Sequence, residues 1–235
     1  MLGATIGVLG AGAAAVGLGW ASMDPQSQLY GRTFFGTPGS GKRLALTYDD
    51  GPNDPHTMRL LDVLAGHGVK ATFFMVGSYV VKRPDISRAV ALGGHEIGNH
   101  TWSHPNLIWC SAAQVRDELQ RTAKTLDETV GPHSKLFRTP FGGRRPVSLR
   151  TVRKFGLTPV MWSVSAKDWE LPTAEAIENQ VWSHVRGGDV ILMHDGSHRG
   201  FGWDRANTVK ATDALIQRAK NEGYEFCTVG DMMNG

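Results

Sequence analysis

Short apolar runs and stretches with helical spacing follow one another from residue 43 onward. Arg43-Leu44-Ala45-Leu46 opens a buried strand over 44–48, and Gly51-Pro52 forces a turn after it. Asp54-Pro55 supplies an N-cap and a first-position proline for a helix in which Met58, Leu61, Leu64 and Ala65 recur at helical spacing. Residues 71–76 form an apolar strand running into Gly77, and Pro84 opens a second helix over 84–92. His95 to His100 reads as a third strand and its exit. Ser111-x-x-Gln114 resembles a capping box, and Ala112, Val115, Leu119, Ala123 and Leu126 mark one face of a helix to about 129. Further strands are expected at 136–137, 158–162, 190–193 and 225–229. Helices are expected over 146–154, 173–183 and a last long stretch carrying Ala206, Val209, Leu215, Ile216 and Ala219.

Strand and helix thus alternate about seven times, which argues for a parallel α/β architecture. Polar clusters fall at 49–50, 99–104, 138–143, 165–169 and 194–195, after successive strands. An open sheet would spread them across its width, whereas a barrel collects them on one rim. An irregular (β/α)7 barrel is therefore expected.

Composition narrows the partners. The 235 residues are 41% apolar and 20% charged, with a net charge of +3. No long basic block exists, so nucleic acid is a poor partner. Cys110 and Cys227 are too few and too far apart for a disulfide framework or a Cys-rich zinc site. Residues 1–23 carry no charged side chain and are rich in Gly and Ala. Three readings are open for them: a membrane anchor or uncleaved signal, a terminal helix on the domain, or disorder. The missing Lys or Arg before the apolar run argues against an ordinary signal peptide. Residues 24–42, rich in Gly, Ser, Pro and Gln, read as a linker or surface arm, leaving 43–235 as the main domain.

The chemistry begins at Thr47-Tyr48-Asp49-Asp50-Gly51-Pro52. Alternation along a strand aims the two neighbouring carboxylates in different directions, so one can face a metal and the other a reacting group. A solvated Asp-Gly turn is the alternative. His100 and His104, at i and i+4, would share one face of a helical turn and could grip a cation, with Asp50 as third ligand. Zinc suits that donor set; cobalt, iron or manganese could substitute. A polar cluster in which Asp50 hydrogen-bonds a histidine is the competing reading.

The strand motif with its Asp pair, followed by His100-x-x-x-His104, resembles the polysaccharide deacetylase family, the NodB homology domain. Three more stretches are similar to family motifs: Arg138-Thr139-Pro140-Phe141-Gly142, Lys167-Asp168-Trp169 and Leu192-Met193-His194-Asp195. The resemblance implies a distorted (β/α) barrel that uses a divalent metal to remove acetyl groups from N-acetylated glycans of chitin or peptidoglycan type. Acetyl-ester or non-carbohydrate C–N hydrolysis on the same scaffold is the alternative, and a non-catalytic glycan-binding module a more distant one.

By the same resemblance Asp50, His100 and His104 hold the metal and Asp49 is the general base, paired with Arg138. The Phe141 backbone N–H faces the developing oxyanion, and Pro140 has no N–H to offer. His194 is the general acid, oriented by Asp168, while Trp169 and Leu192 line the acetyl pocket. Ser163 and Ser165 stand where the family often has Asp, and Thr139 replaces a Pro. Arg144 and Arg145 read as solvated arginines or as positive charge near the groove. Five histidines, His198 among them, have no partner by spacing. The Gly-rich aromatic loop 198–203 reads either as an ordinary loop or as a cover for a sugar, with Trp203 stacking on its apolar face. A cell-envelope or extracellular location, with membrane association through residues 1–23, is the expected setting.

Overall fold

The computed structural model describes residue 17 and residues 19–235. The remaining residues of the 1–23 segment lie outside the described part. Among the described residues no helix is long and apolar enough to cross a membrane.

The backbone is an irregular parallel (β/α) barrel. Its strands are β1 (Arg43–Gly51), β2 (Thr72–Met75), β3 (Glu96–Asn99), β4 (Leu136–Phe137), β5 (Thr158–Pro159), β6 (Val164–Ser165), β7 (Val190–His194) and β8 (Glu225–Phe226). Seven of them run in the spatial order β5-β4-β3-β2-β1-β7-β6, and β8 pairs with Arg43 and Leu44 at the start of β1. The helices are α1 (His56–Gly66), α2 (Gly77–Lys82), α3 (Pro84–Leu92), α4 (Ala112–Val130), α5 (Pro146–Lys154), α6 (Ala174–Trp182), α7 (Ala206–Asn221) and α8 (Val229–Asn234).

Central β1 is buried on both faces, as a parallel strand between layers must be. Leu44, Leu46 and Tyr48 face the helices and pack with Phe73, Ile191 and Leu215. Ala45 faces inward and packs with Phe74, Val160, Val190, Val229 and Met232. The last two belong to α8, which is tied to the starts of the strands. The Val229 N–H donates to Thr72 Oγ1 at 2.9 Å and the Gly230 N–H to Glu96 Oε2 at 2.9 Å.

Residues 24–42 do more than connect. Phe34 bridges in parallel to Val160 beyond β5, and Gly36 bridges antiparallel to Asp189 before β7. The Thr37 and Gly39 N–H groups donate to Gly188 and Gly187 carbonyls, both at 2.7 Å. The approach is so close that a Cβ on Gly188 would lie 2.0 Å from the Thr37 carbonyl oxygen. The arm thus bridges from the β5 end of the strand series to the start of β7.

Several local expectations change. Asp54 does not cap α1; Pro55 occupies the N-cap and the helix starts at His56. The expected strand over 158–162 is only β5, and β6 is an additional strand. The expected strand to 229 ends at Phe226 because Thr228 turns the chain into α8 through a capping box with Asp231. The α4 capping box is formed, with Ser111 and Gln114 bonded reciprocally.

Candidate active site

Strand alternation should separate Asp49 from Asp50, yet both line one cavity of about 350 Å³. The cause is an irregularity between Asp49 and Gly51 in the pairing with β2, where Asp50 adopts φ 72°. A bulge of this kind re-aims a side chain.

His100 and His104 also reach that cavity, but on a loop rather than the expected helical turn. His100 follows β3, and Thr101 (φ 67°) and His104 (φ 58°) fold the backbone back. Ligand atoms of Asp50, His100 and His104 lie within 4.8 Å of one another, a divalent-metal-binding triad. Asp50 Oδ1 sits 3.3 Å from His100 Nε2 and 3.0 Å from His104 Nε2, yet is buried without hydrogen-bond geometry to any partner. Two imidazole nitrogens converging on an unsatisfied buried oxygen, three donor atoms in all, fit a cation. His100 Nδ1 donates to the Arg138 carbonyl at 2.8 Å, which leaves Nε2 as the ligand atom. Asp50 Oδ2 accepts the His198 N–H at 3.1 Å. Burial works against the Asp50 charge, but the two histidines outweigh it and hold the carboxyl well below its ordinary range.

Asp49 is fixed from inside the barrel. Fully buried Arg138 donates through Nη1 to Asp49 Oδ1 at 2.8 Å and to Thr47 Oγ1 at 2.6 Å, and through Nη2 to the Met161 carbonyl at 2.8 Å. Its guanidinium lies 4.2 Å from the Phe74 ring centroid. A buried pair of this sort is costly to break, because the survivor is an uncompensated charge.

His194 ends β7, and its Nδ1 donates to Asp168 Oδ1 at 2.8 Å. Asp168 Oδ2 accepts the His194 N–H at 2.8 Å and the Thr208 hydroxyl at 2.9 Å. Burial alone would lower the His194 pKa; the charge and hydrogen bond of Asp168 outweigh it and, with Asp50 and Asp49, raise it to about 9. The Asp168 carboxyl is lowered in return, against the effect of its own burial. Trp169 meets the imidazole edge-on at 5.2 Å between centroids, and Leu192 lines the same cavity. With Nδ1 engaged, Nε2 is the atom left for proton exchange.

Phe141 lies in a 3-10 turn over Pro140–Gly142 with φ 58°. Among the described residues nothing accepts its backbone N–H. Its ring packs against His104 at 4.6 Å and His198 at 4.8 Å. Non-glycine residues with left-handed backbone are, among the described residues, Asp50, Thr101, His104, Phe141 and Lys167. Two belong to the triad, Thr101 lies between its histidines, Phe141 lines the cavity and Lys167 precedes Asp168. Each such conformation costs about 1–3 kcal/mol, so strain is concentrated where position matters.

All eleven residues singled out from the sequence are accounted for: Asp49, Asp50, His100, His104, Phe141, Trp169, Leu192, His194 and Trp203 line the cavity, while Arg138 and Asp168 stand behind it. His198, without a partner by spacing, stacks on His104 at 5.5 Å. Only its place beside Trp203 in the aromatic loop hinted at this. Thr47, Thr208 and Met23 were also missed. Arg144 is not a solvated arginine but a buried one, bonded to the Gly142, Asp24 and Ser27 carbonyls. Arg145 is turned to the Cys110 carbonyl at 2.7 Å.

Comparison with known proteins places these residues in context. The polysaccharide deacetylase family profile matches residues 36–160. A peptidoglycan-N-acetylglucosamine deacetylase of Listeria monocytogenes is 33% identical over 193 residues, covering 82% of this chain but 39% of that protein. The chain therefore spans about two fifths of that relative's length. A chitooligosaccharide deacetylase of Bradyrhizobium sp. is 36% identical over 203 residues, covering 83% of this chain and 92% of that protein. The crystal structure of the Bc1960 peptidoglycan N-acetylglucosamine deacetylase matches with a TM-score of 0.79 at 35% identity, covering 85% of this chain and 92% of the other.

Proposed function

This chain belongs to the polysaccharide deacetylase family, and from that premise we propose that it hydrolyses N-acetyl groups of N-acetylglucosamine glycans of the cell envelope, with zinc as its metal. One observation carries the reading: an acid–base pair of dyads, Asp49–Arg138 and His194–Asp168, meets a cation triad on one cavity. Two imidazoles and a carboxylate make a donor set suited to zinc.

Asp50, His100 and His104 would hold the cation, which when bound would supply a positive charge to acidify a water and polarise the acetyl carbonyl. Asp49 takes the proton from the attacking water, and Arg138 holds that carboxylate in position. As the C–O bond forms, the Phe141 N–H donates to the developing oxyanion. His194 gives its Nε2 proton to the leaving nitrogen as the C–N bond breaks, and acetate and a free amine remain. Asp168 holds the imidazole in the required tautomer and orientation. Leu192 and Trp169 enclose the acetyl methyl, and Trp203 offers an aromatic face to the sugar.

All these groups fall within 43–235, the stretch we assign as the catalytic domain. We place the enzyme in the envelope or outside the cell, held by residues 1–23. Cell fractionation with and without residues 1–23 tests the attachment.

Acetate release is the direct assay of the chemistry, run on N-acetylglucosamine oligomers, peptidoglycan fragments and acetylated xylan. Release from the first two is expected, and Asp49→Asn should lower it by about 10²–10⁴-fold while metal content is retained. Release from the xylan ester alone would overturn the amide reading.

A further inference from the structure

Met23 lines the cavity although it lies far in sequence from every group that reacts. It ends the helical stretch that includes residues 19–23, and it is 45% exposed. Phe141 and Trp203, at 44% each, and Trp169, at 49%, are the other half-exposed apolar side chains on the same cavity. An interior of about 350 Å³ is near the lower end of the range for ligand pockets, roughly 300–1,000 Å³. A polymer held there at one unit must run out over this rim.

The stretch bearing Met23 is anchored. The Arg144 N–H donates to the Ser22 carbonyl at 3.0 Å. The buried Arg144 guanidinium donates to the Asp24 carbonyl and, at 2.9 Å, to that of Ser27. Its other arm donates to the Gly142 carbonyl at 3.1 Å, next to Phe141. Gln26 adds a bond to the Ser163 carbonyl at 3.3 Å. Burying an arginine to satisfy backbone carbonyls of an arm is costly unless the arm has a place to keep. The result is a thioether, adaptable to an apolar ring face, fixed to the turn that carries the Phe141 N–H.

We propose that Met23, carried by the arm over residues 22–27 that Arg144 holds, forms a wall of the substrate cleft and is a specificity-determining residue, bearing a sugar that flanks the unit being deacetylated. The identity of that sugar rests on the deacetylase reading; the wall itself does not.

The test uses the full-length, metal-loaded chain and N-acetylglucosamine oligomers of two and four units, with kcat/KM from acetate release and Kd by calorimetry. Met23→Ala should lower the tetramer-to-dimer ratio of kcat/KM by about five- to ten-fold through KM, the size of one lost apolar contact, and weaken tetramer binding alike. Met23→Leu should restore the ratio. Trp20→Ala, in the same stretch but 64% exposed and off the cavity, should leave the ratio at the wild-type value. An active wild type whose ratio is unmoved by Met23→Ala overturns this inference alone. Met23-dependent tetramer binding without acetate release from any oligomer overturns the deacetylase reading alone. Equal losses for dimer and tetramer, or an equal effect of Trp20→Ala, would reduce Met23 to a structural role and refute the proposal.

Discussion

Replacing Asp168 by Asn removes one charge and little volume from behind His194. In the wild type the imidazole keeps its proton to about 9 because Asp168 outweighs the opposing effect of burial. Without that carboxylate, burial still disfavours the charged ring, so the pKa falls to the ordinary 6.5 or below. That move is worth about 3 kcal/mol. The sign follows from the role: a general acid works only while protonated, so activity is lost as pH rises through its pKa. At pH 8 roughly nine-tenths of the wild-type His194 carries its proton, against about one in thirty in the variant, a loss of about thirty-fold or more. At pH 6 about three-quarters of a group titrating at 6.5 is protonated, so this part of the loss should shrink about twenty-fold. A cation in the triad opposes the contributions of Asp50 and Asp49, which are smaller than that of Asp168, and so leaves the direction intact. The amide of Asn also meets donors at the Asp168 oxygens, His194 N–H and Thr208 among them, at a cost of about 1–3 kcal/mol. Near-UV circular dichroism and a melting curve therefore accompany the assay. The measurement is kcat/KM from pH 5 to 10 on one oligomer. An alkaline limb in the same place for both proteins, or an equal loss at pH 6 and pH 8, would refute the assignment of His194 as the acid raised by Asp168.

Saturating the metal-free protein with zinc at about a hundred times Kd should add roughly 2.7 kcal/mol, a rise of about 5–10 °C in Tm for a domain of this size. His104→Ala should abolish the rise, and an unchanged shift in that variant would move the cation elsewhere. Gly51→Ala should destabilise by about 1–3 kcal/mol in urea melts, because its Cβ would lie 2.1 Å from Asp195 Oδ2, a buried carboxylate held by the Thr57 hydroxyl at 2.5 Å. An unchanged midpoint would mean that this end of β1 is slack.

What the sequence revealed depended on whether a feature is local and periodic. Helices α3 and α4 announce themselves by Pro84 and by the Ser111 box, signals that need no tertiary partner. The motif residues are legible because their type and order match family motifs, whereas the geometry that brings them together is not written in local sequence. The two-turn helices α2 and α8 are too short to show a period. Neither bulged Asp50 nor the left-handed His104 could be inferred, since L-residues adopt such backbone only where the surroundings enforce it. His198 and Arg144 were misread for the same reason. Their partners, His104 and the Asp24 and Ser27 carbonyls, lie on other parts of the chain.

The arm that bridges Val160 and Asp189 also bears on how the molecule assembles. Phe34 and Gly36 emerge from the ribosome early but find their partners more than a hundred residues later. Arg43 and Leu44 likewise wait for Glu225 and Phe226. Contacts of such sequence separation are slow to form and leave strand edges open in the meantime. During synthesis the early strands can pair with one another, but the ring closes only when nearly all the chain is available. A nascent protein of this design presents an unpaired edge for most of its elongation, and chaperone dependence should be set by that interval more than by the stability of the finished barrel.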